Sequence, residues 1–321
     1  MSSTLTPSAR HALQNLFGDR LQENAPLAKH TTARVGGPAD ALLAVNSAAE
    51  LQQALEILWA EGVPYVILGA GSNVLFSDAG FRGVVLLNRA KSYRFENNDG
   101  HPLLWAESGA NLGALARQAA LRGFAGLEWA ATIPGTLGGA VYGNAGAHGG
   151  DTAGALFLAE ILHPKLGKVR WGSEQMEYSY RSSRLKRQHE PAVILSASLR
   201  LQAGQKEEIL ARMEANSSHR RRSQPPGATM GSMFKNPPGD YAGRLIEAAG
   251  LKGSRIGGAV ISPVHANFFI NEEGCSAADI ASLIQLARET VAERFGVQLE
   301  LEIELLGEWP GHLNGMVGTS A

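Results

Sequence analysis

Compact apolar runs alternate with helix-spaced stripes along most of this chain. Ala41–Val45, Tyr65–Gly69 behind Pro64, and Gly83–Asn88 predict buried strands. Ser47 and Glu50 have the spacing of a capping box, opening a helix with Leu51, Leu55 and Leu58 on one face. Leu103–Glu107, Ala155–His163 and Ala192–Leu201 predict further strands, the last with two-residue alternation. Asn111 reads as the N-cap of a helix carrying Leu112, Leu115 and Ala119 inward, with Gly123 as its stop. Two more helices follow, near 205–219 and over 241–250. A third is capped by Ser276 and carries Ile280, Leu283, Ile284, Ala287 and Val291 on one stripe. The run 299–306 predicts a last strand, with Leu299, Leu301, Ile303 and Leu305 on one face and Glu300, Glu302 and Glu304 on the other.

These elements divide the chain into blocks. Residues 1–24 read as a leader helix or loose arm. A first α/β lobe covers 25–88 and a second covers 89–203. A third region spans 204–309, and the Gly-rich polar tail 310–321 reads as flexible. No repeat of fixed period occurs, and blocks of strand and helix in this order indicate an α+β fold.

Composition narrows the function. Lys plus Arg is 29 and Asp plus Glu is 30, a net charge of −1. Without a concentrated positive footprint, a dedicated nucleic-acid binder is disfavoured. The single cysteine, Cys275, permits no intrachain disulfide and fits a reducing, cytoplasmic setting. No apolar stretch is long enough for a membrane span or a secretory signal. No HExxH, CxxC or P-loop pattern points to a metal or to phosphoryl transfer, and no obligate protein partner is implied.

Glycine is the outlier, at 38 residues of 321. Gly69-Ala-Gly71-Ser72-Asn73 follows a strand, as a phosphate-binding turn would. The third glycine position of a dinucleotide fingerprint holds Val74 and no helical pattern follows. An anion-binding nest of backbone amides and a plain tight turn both stay open. The second loop, 133–150, has seven glycines in the sixteen residues from Gly135. It reads as a folded backbone surface for a flat cofactor, or as a glycine-packed turn between lobes. On the cofactor reading, valine at Gly71 or Gly139 costs the cofactor more than the fold.

In order and spacing, HTTARVGGPAD (30–40), ILGAGSNVLFSD (67–78), IPGTLGGAVYGNAGAHGG (133–150), YSYRSS (178–183) and GSMFKNP (231–237) closely resemble the UDP-N-acetylenolpyruvoylglucosamine reductase family, in its shorter second type. The resemblance covers roughly 25–309. It implies a two-lobed FAD-binding domain of the vanillyl-alcohol-oxidase type followed by a smaller α/β substrate-binding domain. It also implies non-covalent FAD, NADPH as hydride donor, and an enolpyruvyl ether of a UDP-sugar as substrate. Arg34, Gly69, Gly71, Ser72, Asn73, Ile133, Pro134, Gly135, Gly138, Gly139, Asn144 and Gly146 match positions that hold the cofactor. Lys235 and Asn236 match contacts to the nucleotide sugar. Another flavin oxidase on the same scaffold, or a non-catalytic binding module, are the alternatives.

Addition of hydride to an α,β-unsaturated carboxylate puts charge on that carboxylate and calls for a proton at the α-carbon. By the resemblance, Arg181 holds the carboxylate, Ser232 donates the proton and Glu302 hydrogen-bonds the carboxylate in its protonated form. Taken singly, Arg181 could be a surface charge, Ser232 turn chemistry and Glu302 a solvated strand face. Three departures stand out from the family pattern: Thr132 before Ile-Pro-Gly, Glu304 in place of an arginine, and a shortened 224–231 stretch carrying Thr229-Met230. Arg220, Arg221 and Arg222 either offset a helix dipole or help bind a diphosphate. His148, inside the second glycine loop, is open between packing and chemistry.

Overall fold

The computed structural model describes residues 4–309. Thr6 caps α1 (Pro7–Phe17), which buries Ala9, Leu13 and Phe17. Those side chains join Leu51, Leu55 and Leu58 of α2 (Ala48–Ala60) in one core. Strand β1 (Leu21–Pro26) pairs antiparallel with β2 (Pro38–Val45). The expected boundary at 24/25 therefore falls inside a strand, and the leading residues are a structural part of the first lobe rather than an arm. Its sheet is completed by β3 (Tyr65–Leu68) and β5 (Phe81–Asn88), in the order β1-β2-β5-β3, with β2, β5 and β3 parallel. Between them lies the short β4 (Val74–Phe76).

The second lobe is a five-stranded antiparallel sheet. Its order is Gly167–Trp171, Leu156–His163, Val193–Arg200, β7 (His101–Glu107), β6 (Tyr93–Asn98). Asn111 caps α3 (Leu112–Leu121) as its sequence predicts. The glycine-rich segment is not wholly loop: α4 (Leu137–Gly143) lies within it, with the Thr136 side chain accepting from the Gly139 amide. A Cβ at Gly138 would come 2.9 Å from Ser108 Cβ, so the glycine lets the helix lie close to the lobe.

The third region packs helices Ala242–Ala248 and Ala277–Phe295 on a small sheet of Arg255–Ile256, Ala259–Ile261 and Phe269–Asn271. The helix Lys206–Ser223, assigned by sequence to this region, buries Ile209 and Met213 in the second lobe's core instead. The expected strand 299–306 shrinks to Glu304–Leu306, which pairs in parallel with β4. Residues 300–302 lie beside 233–235, with Glu302 N donating to Met233 O and Lys235 N to Glu300 O. The segment passes from one unit to another, so no single sheet holds it. The inward stripe nonetheless stands, because Leu299, Ile303 and Leu305 are buried. The tail 310–321 lies outside the described residues. No described helix is long and apolar enough to cross a membrane.

Because Leu13 is fully buried, Leu13→Ala should lower unfolding stability by about 2–5 kcal/mol, read as a shifted urea midpoint. A midpoint equal to that of the parent protein would return the leading helix to the status of a loose arm.

Candidate active site

A cavity of about 440 Å³ opens where the three parts of the chain meet. Strand β3 and the loop Gly69–Asn73 line one side, the segment from Ile133 to Ala147 a second, and Met230–Ser232, Glu302 and Glu304 a third. Gly71 takes φ +63°. The amides of Ala70, Gly71, Ser72 and Asn73 donate to no protein acceptor among the described residues. They form a nest of free donors on the cavity wall. Ser72 Oγ donates to Pro134 O at 3.0 Å, tying the two glycine loops together.

The glycines of these loops serve two purposes. A Cβ at Gly71 would lie 2.1 Å from His30 O, and one at Gly69 would lie 2.4 Å from Thr136 Oγ1. The protein's own packing demands glycine there. At Gly139 the nearest atom to a Cβ is 3.7 Å away, and at Gly143 nothing lies within 4 Å, yet both line the cavity. A side chain at these two would fill ligand space.

Gly69, Gly71, Ser72, Asn73, Ile133, Pro134, Gly135, Gly138, Gly139 and Gly146 all line the cavity, as do Arg181, Ser232 and Glu302. Arg34, Asn144, Lys235 and Asn236 do not. Arg34 is exposed, with its amide bonded to Thr31 O. Asn144 is buried; its Nδ2 donates to Ser179 O and its Oδ1 accepts from Ala153 N. Lys235 pairs with Glu300, and Asn236 Oδ1 accepts from Ala242 N. Asn144 and Asn236 therefore act on backbone.

Arg181 rides a tight turn closed by two hydrogen bonds between Ser179 and Ser182, with its own φ at +55°. This is a costly backbone for a non-glycine residue, and Asn144 holds the turn from below. Arg181 Nε lies 2.8 Å from Glu302 Oε1, an ion pair whose Nε–H is not aimed well enough for a hydrogen bond. Burial raises the Glu302 carboxyl above the usual range, against the opposing pull of Arg181, Lys186 and Lys235. Ser232 follows Gly231, whose φ is +82°, and bridges Phe268; its hydroxyl has no protein partner among the described residues. Buried Asn267 fixes the next turn of chain through both Phe234 backbone groups.

Lys186 and Tyr142 also line the cavity and carry no motif that marks them, and Glu304 stands out in the sequence only as a departure. Lys186 Nζ lies 3.2 Å from Glu304 Oε1 on the cavity wall. Ser183, three residues earlier, caps the helix Arg184–Gln188 that carries it, and that cap was the available signal. Among the three arginines only Arg220 reaches the cavity, with its guanidinium on Thr132 O; Arg221 pairs with Glu214. His148 packs its ring against His219. Cys275 lies off the cavity, and burial with nearby carboxylates pushes its thiol up to about 12, a poor setting for a covalent link.

Residues 39–159 match the FAD binding domain family, and 223–306 match the C-terminal domain of UDP-N-acetylenolpyruvoylglucosamine reductase. The chain is 46% identical to the UDP-N-acetylenolpyruvoylglucosamine reductase of Rubrobacter xylanophilus, over 92% of this chain and 98% of that one. It is 43% identical to that of Chloroflexus aggregans, over 89% and 97%. The chain belongs to the UDP-N-acetylenolpyruvoylglucosamine reductase family. Among solved structures, the Thermus caldophilus reductase superposes with a TM-score of 0.76 at 36% identity, covering 89% of this chain and 99% of that one. For a reductase of this family the cavity fits its flavin. Free amides at 70–73 suit phosphate oxygens, and the open positions at Gly139 and Gly143 suit close approach of a flat ring.

The two classes of glycine separate by mutation. Gly139→Val should keep a near-parental circular dichroism spectrum but yield colourless protein. Gly71→Val should lose the fold itself, because its clash is with backbone. Equal loss of fold in both would make the whole loop a packing feature.

Proposed function

We propose that Arg181, Ser232 and Glu302 are the catalytic residues with which this reductase converts UDP-N-acetylenolpyruvoylglucosamine to UDP-N-acetylmuramate in peptidoglycan precursor synthesis. The observation that carries the assignment is their convergence. Three segments distant in sequence bring a guanidinium, an unpartnered hydroxyl and a carboxyl with raised pKa to one cavity beside a flavin loop. FAD held along the glycine loops 69–73 and 133–147 would supply the hydride chemistry that links NADPH to the vinyl group of the substrate.

Arg181 supplies a permanent, planar charge for the substrate's carboxylate, where negative charge accumulates as the double bond is reduced. Glu302, whose carboxyl burial raises, can donate a second hydrogen bond to the same carboxylate when it is protonated. Ser232, with its unpartnered hydroxyl on the cavity, is the proton donor to carbon in this reading. Its hydroxyl is a weak acid, so the transfer requires its alkoxide to be stabilised within the cavity. Arg220 and the nest at 70–73 add positive potential along the cavity for diphosphate groups. This division of labour makes Ser232 and Glu302 matter in only one half of the cycle.

Ser232→Ala should leave reduction of the flavin by NADPH near normal and slow reoxidation by the enolpyruvyl substrate by about 10²–10⁴-fold, as stopped-flow absorbance would read. Arg181→Lys should weaken substrate binding and reoxidation together, since the lost fork acts in both ground and transition states. If Ser232→Ala slowed the NADPH step equally, its position would be a structural support for the flavin and not a proton donor.

A further inference from the structure

Arg181 and Glu302 neutralise one another's charge as an ion pair, with side chains only 25% and 19% exposed. The substrate arrives with a carboxylate that needs the same guanidinium. Two carboxylates on one largely buried cation leave an uncompensated charge, which costs far more there than at the surface.

We propose that the substrate's carboxylate displaces Glu302 from Arg181, and that Glu302 takes up one proton from solvent as it lets go. The acid that later donates to the substrate is thus made by binding, and the resting enzyme keeps Arg181 neutralised. The inference rests on reading Arg181 as the holder of the carboxylate.

The groups facing Glu302 set the direction. Arg181 from the Ser179–Ser182 turn, Lys186 from the helix Arg184–Gln188 and Lys235 from the segment beside it all favour the anion, and burial opposes them. Loss of Arg181 to the substrate removes one of these cations and adds a negative charge nearby, so both changes favour protonation. Glu304 sits two residues along the chain and lines the same wall. Lys186 holds it at 3.2 Å, with both side chains mostly shielded, 18% and 26% exposed. This second pair makes Lys186 a positioning residue: it compensates Glu304, so that only the Arg181–Glu302 pair is open to exchange. The diphosphate of the UDP-sugar is a diester with no proton to exchange near neutral pH, so proton uptake on binding belongs to the protein.

The test is calorimetric titration of the oxidised holoenzyme with the enolpyruvyl UDP-sugar, in buffers of different ionisation enthalpy between about pH 6 and 8. Uptake should approach about one proton per site, with affinity falling up to ~10-fold per pH unit above the free-state titration of Glu302. Glu302→Gln, checked for retained flavin, should bind with uptake abolished. In Lys186→Met the low-pH limb of the uptake profile should move upward, since Glu302 then loses a cation and faces a bare Glu304; Lys186→Arg should restore it. Binding without proton uptake, or uptake that survives Glu302→Gln, would overturn the exchange. An unmoved profile in Lys186→Met would overturn the role of Lys186. Failure to bind the UDP-sugar at all is a separate outcome, and would sink the assignment of the site on which the exchange rests.

Discussion

Three residues of parallel ladder hold the candidate site together. Glu304–Leu306 pairs with Val74–Phe76, so the end of the described chain returns to the lobe that carries the first glycine loop. Ser77 N donates to Leu306 O, Glu304 N to Asn73 O, and Asn73 Nδ2 to Glu302 O. The same few residues therefore fix both the nest of free amides and the carboxylate. Farther along, both carboxylate oxygens of Asp78 cap the helix Ala277–Phe295 by accepting from Ala277 N and Ala278 N. Asn271 Nδ2 reaches Ala33 O. The substrate-side unit is thus tied to the first lobe by directional hydrogen bonds around one edge of the cavity, and not by apolar packing alone.

The second lobe contributes Arg181 by a different route. Its turn is held by Asn144, the left-handed cap of α4, and α4 itself belongs to the glycine segment that lines the cavity. A single short helix therefore couples the flavin-side wall to the arginine facing Glu302. Placing Arg181 at φ +55° is unfavourable for a residue with a side chain, and the paired Ser179 and Ser182 backbone bonds supply the compensation. Asn144 acts on this backbone through Ser179 O and Ala153 N.

Much of the local structure is legible in the residues because it follows from local rules. Ser47, Asn111 and Ser276 cap the helices that their spacing predicts, and the apolar stripes behind them are buried. The edge strands Tyr93–Asn98 and Gly167–Trp171 escape such reading because, exposed at the sheet margins, they carry few apolar residues. Helix α4 escapes because glycine hides its pattern, although Thr136 is a readable cap. Motifs mark Arg181, Ser232 and Glu302, and all three line the cavity. No motif marks the pairing of Lys186 with Glu304, because it joins segments that only the returning strand brings together. Arg34, Lys235 and Asn236 show the converse limit: a motif marks them, yet they are not among the residues that line the cavity.

In the proposed function one guanidinium, on Arg181, organises the cavity for a substrate carboxylate between Ser232 and Glu302. A crystal structure of the oxidised holoenzyme with the enolpyruvyl UDP-sugar bound tests it most directly. The substrate carboxylate should lie on Arg181, with Glu302 moved off its 2.8 Å contact and within hydrogen-bond distance of that carboxylate, and with Ser232 Oγ facing the substrate's α-carbon. An intact Arg181–Glu302 pair with the substrate carboxylate seated elsewhere would contradict it.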